Sequence, residues 1–183
     1  EVRASDAAVE GPHGTVPLRV YRPLTDAANR PGLVWIHGGA WVFGDLEMPE
    51  NDHVARRLAA WADAVVVAVD YRLALDGVHF PVPHDDCWAA YTWTRDHADE
   101  LGIDPDRISV GGGSAGANLA AGVALRGRDA GTPPAQALLV YPPVHPGAIE
   151  ASDELLAMIE GLPDALRYGA DESLSINYLG GPI

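Results

Sequence analysis

The residues with the clearest potential for chemistry lie in the segment Gly112-Gly113-Ser114-Ala115-Gly116. Gly112, Ser114 and Gly116 fit the G-x-S-x-G pattern, which places a serine on a strained strand-to-helix turn with its hydroxyl projecting from a sheet. The two glycines matter because the residues two before and two after the serine approach each other closely, and a Cβ would crowd the turn. The pattern therefore predicts a nucleophilic serine, although a glycine-rich turn with a surface serine also fits the pentapeptide taken alone.

A second segment, His37-Gly38-Gly39, could supply hydrogen-bond donors to the same reaction. Acyl transfer needs a nucleophile, a base, a group that orients the base, and donors for the oxyanion. Glycines allow two backbone N–H groups to approach the developing charge to about 3 Å. The N–H of Ala115 would be a third donor, because the first residue of a helix has no intrahelical partner. A tight turn without chemistry is the alternative for this segment.

Three polar residues are predicted to brace these loops rather than to react. We expect His37 to hydrogen-bond within its own loop and not to act as the base. Asp70 and Arg72 are expected to form a structural ion pair or to brace neighbouring loops, with Asp70 as a catalytic acid the alternative. The single cysteine, Cys87, lies on the apolar face of a predicted helix and is expected in the core.

The hydrophobic pattern predicts a doubly wound α/β domain with a mostly parallel sheet. Two β segments, 2–9 and 16–21, come first. Continuous apolar runs, typical of strands buried on both faces, follow at 32–36, 64–69, 108–110 and 137–140. Two helical patterns lie between them, the second opening at Asp85 and Asp86. Their apolar positions are Val54, Leu58, Trp61 and Ala62 in the first, and Cys87, Tyr91, Thr94 and Ala98 in the second. This alternation of strand and helix is the doubly wound pattern.

The unusual residues all follow the carboxyl ends of the predicted parallel strands. These segments are 37–41, 70–72, 111–116 and 141–143. Open α/β sheets bind their ligands at that edge. The placement therefore predicts a single site without reference to any one motif.

Composition restricts the classes of partner. The chain has 183 residues, 48% of them hydrophobic, and a net charge of −14. We therefore expect one globular core and no binding to nucleic acid or to anionic membranes. No apolar run approaches the ~18 residues of a membrane span. With one cysteine and no zinc spacing, no metal or other cofactor is predicted. We expect a cytoplasmic location and allow for a homodimer.

Four segments, in this order, resemble the hormone-sensitive-lipase-like branch of the α/β-hydrolase fold, the bacterial carboxylesterases. They are 37–41, 70–74, 112–120 and 141–142. The resemblance extends over roughly residues 5–180. It implies a serine carboxylester hydrolase that acts on short- to medium-chain acyl esters. It also implies Ser114 as the nucleophile and Gly38, Gly39 and Ala115 as the oxyanion hole.

The sequence departs from the family pattern in two ways. Gly113 and Ala117 stand where the family usually has Asp and Gly, and His145 lies near the position of a usual Asp. The family's triad acid and histidine lie in a long further segment beyond a lid, whereas all seven histidines here lie at or before His145. We therefore expect a fragment of a longer enzyme that is nearly inert alone, with a naturally incomplete enzyme the alternative. The hydrolase core is expected at 1–149 and the start of a lid at 150–183.

Within 150–183, helices are predicted at 153–159 and 173–179, the first capped by Ser152 or Asp153. The apolar residues of the first helix fit a lid or ordinary packing equally well. They are Leu155, Leu156, Met158 and Ile159. Two other functions remain open: a non-catalytic α/β-hydrolase-like binding or scaffold protein, and a hydrolase of amides or peptides.

Overall fold

The structure, a computed structural model, describes residues 1–25, 27–145, 152–159 and 172–181. Its strands are β1 Val2–Gly11, β2 Gly14–Pro23, β3 Arg30–Ile36, β4 Val65–Val69, β5 Ile103–Gly113 and β6 Ala137–Val140. They form one sheet in the order β1-β2-β4-β3-β5-β6. β1 pairs antiparallel with β2, and β2 with β4, whereas β4, β3, β5 and β6 are parallel. The predicted α/β class with a mostly parallel sheet is confirmed.

The structure describes six helices, of which the longer ones cover both faces of this sheet. They are α1 Pro49–Ala62, α2 Val82–Asp96, α3 Ala98–Leu101, α4 Ala115–Asp129, α5 Asp153–Ile159 and α6 Glu172–Leu179. On one face, Cys87 of α2 and Leu119 of α4 belong to the same core cluster as Val34 and Val67. On the other face, α1 packs through small residues against β3 and β4. All five residues of β4 are buried, as the continuous apolar run predicts.

Two helical predictions differ from the structure in detail. The fully buried residues of α1 are Asn51, Ala55 and Ala59, and of the predicted apolar stripe Val54 and Leu58 are partly buried against the core. Trp61 is 75% exposed. The second helix begins at Val82 rather than at the two aspartates, and it ends at Asp96, which puts Ala98 in the separate α3.

Two strands also differ from their predictions. β5 begins at Ile103, well before the predicted start, because its first residue pairs with Arg30 before a register shift brings Ile108 opposite Gly32. β6 was expected to be buried on both faces, but Leu138 is 44% exposed and Leu139 is 38% exposed. Among the described residues β6 is an edge strand with β5 as its one neighbour, which explains its exposure.

The two helices predicted after residue 150 are present as α5 and α6. The predicted boundary at 149/150 lies outside the described residues, as do the side chains of Leu155, Leu156 and Ile159. Met158 is 73% exposed. In the part of the chain that the structure describes, every helix is too short or too polar to cross a membrane.

Candidate active site

Ser114 occupies a sharp turn between β5 and α4. Its backbone angles are φ 52° and ψ −121°, a conformation that L-residues rarely adopt and that persists only when the surroundings enforce it. The Ser114 N–H donates to the Val140 carbonyl at 2.9 Å, which ties the turn to β6. A Cβ on Gly112 would lie 2.5 Å from the Gly116 carbonyl, and one on Gly116 would lie 2.1 Å from the Ile36 oxygen. The glycine spacing is therefore a steric requirement of this turn.

The loop after β3 lies directly beside Ser114. A Cβ on Gly38 would be 3.1 Å from the Gly113 carbonyl oxygen and 3.5 Å from the Ser114 Cβ. Gly39 has φ +119° and begins a tight turn, because its carbonyl accepts from the N–H groups of Val42 and Phe43. No described residue accepts a hydrogen bond from the N–H of Gly38, Gly39 or Ala115. Three unpaired donors thus belong to the two turns that meet at the serine.

His37 is buried beneath this loop. It is 2% exposed, and its Nδ1 donates to the Gly38 carbonyl at 2.6 Å. Its ring stacks on Tyr71 at 4.3 Å, and the Tyr71 hydroxyl donates to the His37 carbonyl at 3.2 Å. Burial lowers the pKa of His37, so the neutral ring is favoured. These contacts fit the expected bracing of the loop.

The expected ion pair between Asp70 and Arg72 does not form. Arg72 pairs instead with Asp86 on α2, which accepts from both the Arg72 guanidinium and its backbone N–H, the latter at 2.9 Å. The guanidinium also donates to the Thr15 carbonyl at 3.1 Å, so Arg72 links α2 to β2. Burial raises the pKa of the Asp70 carboxyl, and the nearby Asp45 raises it further.

A cleft of about 270 Å³ opens at Ser114. Four parts of the chain meet there: the loop after β3, the serine turn, the loop after β6, and α6. Their lining residues are Ala40 and Trp41, Ser114 and Ala115, Tyr141 to Pro143, and Leu174. The cleft lies at the carboxyl ends of the parallel strands, where the sequence predicts the site.

The loop after β6 is held in place by two side-chain contacts. The Asn118 amide donates to the Pro143 carbonyl at 2.9 Å, and the Tyr141 hydroxyl donates to Glu50 at 3.1 Å. His145, in the same loop, is exposed. Among the described residues, no histidine or carboxylate is hydrogen-bonded to the Ser114 hydroxyl, and no three metal-ligating side chains cluster. The described site therefore combines a serine with three unpaired backbone N–H groups, and no described histidine or carboxylate is hydrogen-bonded to that serine.

Sequence reasoning missed several residues of the site. The sequence indicates Asp86 only as a residue that opens a helix. Its pairing with Arg72 is not visible in the sequence, because the contact joins α2 to the loop after β4. Leu174 lies in a stretch with no recognisable motif. Tyr71, Asn118 and Tyr141 lie inside or beside the quoted motifs, which is the one signal that could have indicated them.

Comparison with known proteins agrees with this geometry. A family model described as the alpha/beta hydrolase fold matches residues 33–165. Esterase LipI of Mycobacterium tuberculosis is 43% identical over 180 residues, which cover 94% of this chain and 55% of LipI. Carboxylesterase NlhH of the same species is 46% identical over 128 residues, which cover 70% of this chain and 39% of NlhH. The chain thus spans about half, or less, of the length of these relatives.

Solved structures give the same result. An esterase of Pyrobaculum calidifontis superposes with a TM-score of 0.83 at 37% identity, covering 98% of this chain and 58% of that one. EstE1, a thermostable carboxylesterase from a metagenomic library, superposes with a TM-score of 0.82 at 38% identity, covering 98% of this chain and 60% of EstE1. The family match extends over more than half of the chain and the sheet has the predicted architecture. The chain therefore belongs to the α/β-hydrolase fold family, in its hormone-sensitive-lipase-like branch.

Proposed function

We propose that the natural protein containing this chain is a serine carboxylester hydrolase with Ser114 as its nucleophile. The observation that carries the proposal is the approach of Gly38 to Ser114, where an added Cβ would lie 3.5 Å from the serine Cβ. The N–H groups of Gly38, Gly39 and Ala115 are unpaired among the described residues. Donors of this kind act on the charge that develops in the transition state, where they are most effective.

The reaction follows from this arrangement. The Ser114 oxygen bonds to the ester carbonyl carbon as its proton passes to a histidine base, and the carbonyl oxygen becomes an oxyanion. The N–H groups of Gly38, Gly39 and Ala115 donate to that oxyanion. The base then protonates the departing alcohol oxygen as the bond from carbonyl carbon to alcohol oxygen breaks. Water releases the acyl group from Ser114 by the reverse proton transfers.

His37 does not fit the role of base in this reaction. Its Nδ1 already donates to the Gly38 carbonyl, and its ring is 2% exposed beneath the loop. We assign the base and its carboxylate partner to a segment C-terminal to this chain, as the family resemblance implies. All seven histidines of the sequence lie at or before His145, and those described make no hydrogen bond to Ser114.

We infer a preference for short- to medium-chain acyl esters. The cleft at Ser114 holds about 270 Å³, somewhat below the ~300–1,000 Å³ of typical drug-sized pockets. Its walls are mostly apolar, with Trp41, Pro142 and Leu174 facing the serine turn. A space of this size and character suits a small acyl or alcohol group.

Ester hydrolysis by the protein from the complete reading frame tests the proposal. p-Nitrophenyl acetate, butyrate and palmitate would be compared for wild type, Ser114→Ala and the control Ser5→Ala, whose serine is exposed on β1. We expect Ser114→Ala to lose on the order of 10⁶ in kcat and Ser5→Ala to match wild type. Equal hydrolysis by wild type and Ser114→Ala would refute the assignment.

A non-catalytic binding protein is the second candidate. It is favoured by one observation, that no described histidine or carboxylate is hydrogen-bonded to Ser114. A fluorophosphonate probe separates the two candidates, because it labels only an activated serine. Labelling of Ser114 in protein from the natural source would reject the binding protein, and its absence would reject the hydrolase. Matched p-nitrophenyl esters and anilides would then separate esterase from amidase activity.

A further inference from the structure

Helix α6 is docked on the loop that carries the oxyanion donors. The rings of Trp41 and Tyr178 are stacked with their centroids 4.7 Å apart and their planes within 5°. Trp41 is 3% exposed and Tyr178 is 6% exposed, so the pair is buried on both sides. Stacked and offset aromatic pairs favour a narrow range of geometries, so a change in one ring is transmitted to the other.

A second connection between α6 and this loop runs through the backbone. The Asn177 amide donates to the Ala74 carbonyl at 2.7 Å, and the Ala74 N–H donates to the Trp41 carbonyl at 2.7 Å. The helix is also held by the loop that precedes α2, where the His79 ring donates to the Asn177 carbonyl at 2.8 Å. Helix α6 therefore contacts the Trp41 ring directly through Tyr178, and it is linked to the Trp41 main chain through Ala74.

The loop needs such support because its backbone is strained. Ala40 has φ 50° and Trp41 has φ 62°, two consecutive L-residues in the left-handed region. Residues in this region persist only when the surrounding structure holds them there. Gly38 and Gly39 immediately precede this pair, so the direction of their N–H groups depends on where Trp41 is fixed.

The same helix forms one wall of the cleft. Leu174 lines the cleft together with Ser114 and Trp41, and it lies four residues before Tyr178. Residues four apart lie on one side of a helix, so the anchor at Tyr178 also fixes the position of Leu174. One contact thus holds the oxyanion loop and a wall of the substrate site.

We propose that Tyr178 is a positioning residue for ester hydrolysis, which aligns the Gly38 and Gly39 donors by stacking on Trp41. The inference rests on the proposed function, because it assumes that those N–H groups stabilise an oxyanion. Misaligned donors weaken an interaction that exists only in the transition state, so kcat falls while KM changes little. A displacement of about 1 Å near a reacting centre can cost about 10²-fold.

The test compares Tyr178→Leu with Tyr178→Phe in the protein from the complete reading frame. Tyr178→Leu removes the stacked ring, and we expect kcat to fall about 10–100-fold on acetate and butyrate esters alike, with KM within about twofold. Tyr178→Phe keeps the ring and should restore nearly all of the kcat. Trp61→Leu, which removes an exposed tryptophan from α1, is the control and should match wild type.

A double-mutant cycle gives a readout that a purely structural role would not change. If Tyr178 acts through Trp41, the losses from Trp41→Leu and Tyr178→Leu will not multiply when the two substitutions are combined. Asn177→Ala provides a second route if Tyr178→Leu does not fold, because Asn177 is exposed and its loss leaves the core unchanged. We expect Asn177→Ala to lower kcat by a smaller factor than Tyr178→Leu does.

The outcomes separate the two proposals. If wild type neither hydrolyses the esters nor is labelled at Ser114, the proposed function is wrong. If wild type is active and Ser114→Ala is inactive, a folded Tyr178→Leu with the wild-type kcat shows that the positioning role is wrong while the proposed function stands. Where Tyr178→Leu does not fold, a wild-type kcat in Asn177→Ala has the same meaning. A loss in Tyr178→Phe equal to that in Tyr178→Leu, or fully multiplicative losses in the cycle, also contradicts the role of the stacked ring.

Discussion

Substitution of Gly38 by alanine perturbs the loop that we propose as part of the oxyanion hole, by an amount that the structure defines. The new Cβ would lie 3.1 Å from the Gly113 carbonyl oxygen, whereas ordinary contacts of this kind begin at 3.4 Å. The loop must therefore retreat by a few tenths of an ångström, because the Gly113 carbonyl belongs to the end of β5. Oxyanion donors act over about 2.7–3.1 Å, so a shift of this size moves the Gly38 N–H toward the limit of its range.

The expected loss of transition-state stabilisation in Gly38→Ala is a fraction of what one hydrogen-bond donor contributes. Complete removal of an oxyanion donor costs about 3–4 kcal/mol, so a weakened donor should cost about 1.5–2 kcal/mol. This corresponds to a fall in kcat of roughly 10–30-fold with KM nearly unchanged. Steady-state hydrolysis of p-nitrophenyl butyrate by the protein from the complete reading frame measures both quantities.

Gly11→Ala is the matched control for Gly38→Ala. Its Cβ would lie 3.3 Å from a Val16 methyl group and 3.4 Å from the Gly14 carbonyl, a similar crowding in the β1–β2 hairpin away from the cleft. We expect it to change stability and not kcat. A folded Gly38→Ala with the wild-type kcat, or one whose KM rises while kcat stays constant, would refute the assignment of this loop.

Two further predictions concern stability and its dependence on pH. Asp86→Asn should lower the free energy of unfolding by about 3 kcal/mol in urea denaturation, because Asp86 is 0% exposed and its replacement removes the carboxylate that pairs with Arg72. Burial opposes ionisation of Asp85, but hydrogen bonds from His13 and Arg126 outweigh it and hold its pKa below the usual 3.8. A carboxyl whose pKa is lower in the folded state than in the unfolded state stabilises the fold above its usual pKa of 3.8. This contribution to the free energy of unfolding should be lost as the pH falls through 3.8 and below it. The loss of stability over this range should be smaller in Asp85→Asn than in wild type.

Asp96→Asn is the control for both stability predictions, because Asp96 is exposed on the same helix and belongs to none of the ion pairs among the described residues. Its free energy of unfolding should stay within about 0.5 kcal/mol of wild type. An equal effect of Asp86→Asn and Asp96→Asn would contradict the buried pair. An unchanged acid profile in Asp85→Asn would contradict its linkage to His13 and Arg126.

The sequence was sufficient for the parts of the site that depend on local rules. The spacing of Gly112, Ser114 and Gly116 follows from the steric limits of one turn, and that turn is present. The continuous apolar run 64–69 predicts a strand buried on both faces, and β4 is such a strand. Because strand ends meet at one edge of a parallel sheet, the sequence also predicts that the Gly38 loop and Ser114 lie together.

The predictions that failed depend on contacts between distant elements. Of the two roles predicted for Asp70 and Arg72, an ion pair with each other or the bracing of neighbouring loops, the ion pair does not form, because the fold brings Asp86 of α2 to Arg72. Trp61 belongs to an apolar helical stripe, yet it is exposed, because α1 buries the small residues Ala55 and Ala59 against the sheet and Trp61 lies near its end. The stack of Trp41 on Tyr178 joins two segments that are far apart in the sequence and share no motif. Spacing along a sequence does not encode such pairs.

A structure of the protein after reaction with a fluorophosphonate tests the central claim most directly. We predict a covalent bond from phosphorus to the Ser114 oxygen, with the phosphoryl oxygen about 2.7–3.1 Å from the N–H groups of Gly38, Gly39 and Ala115. An adduct on another residue, or a phosphoryl oxygen directed to solvent away from all three N–H groups, would contradict it.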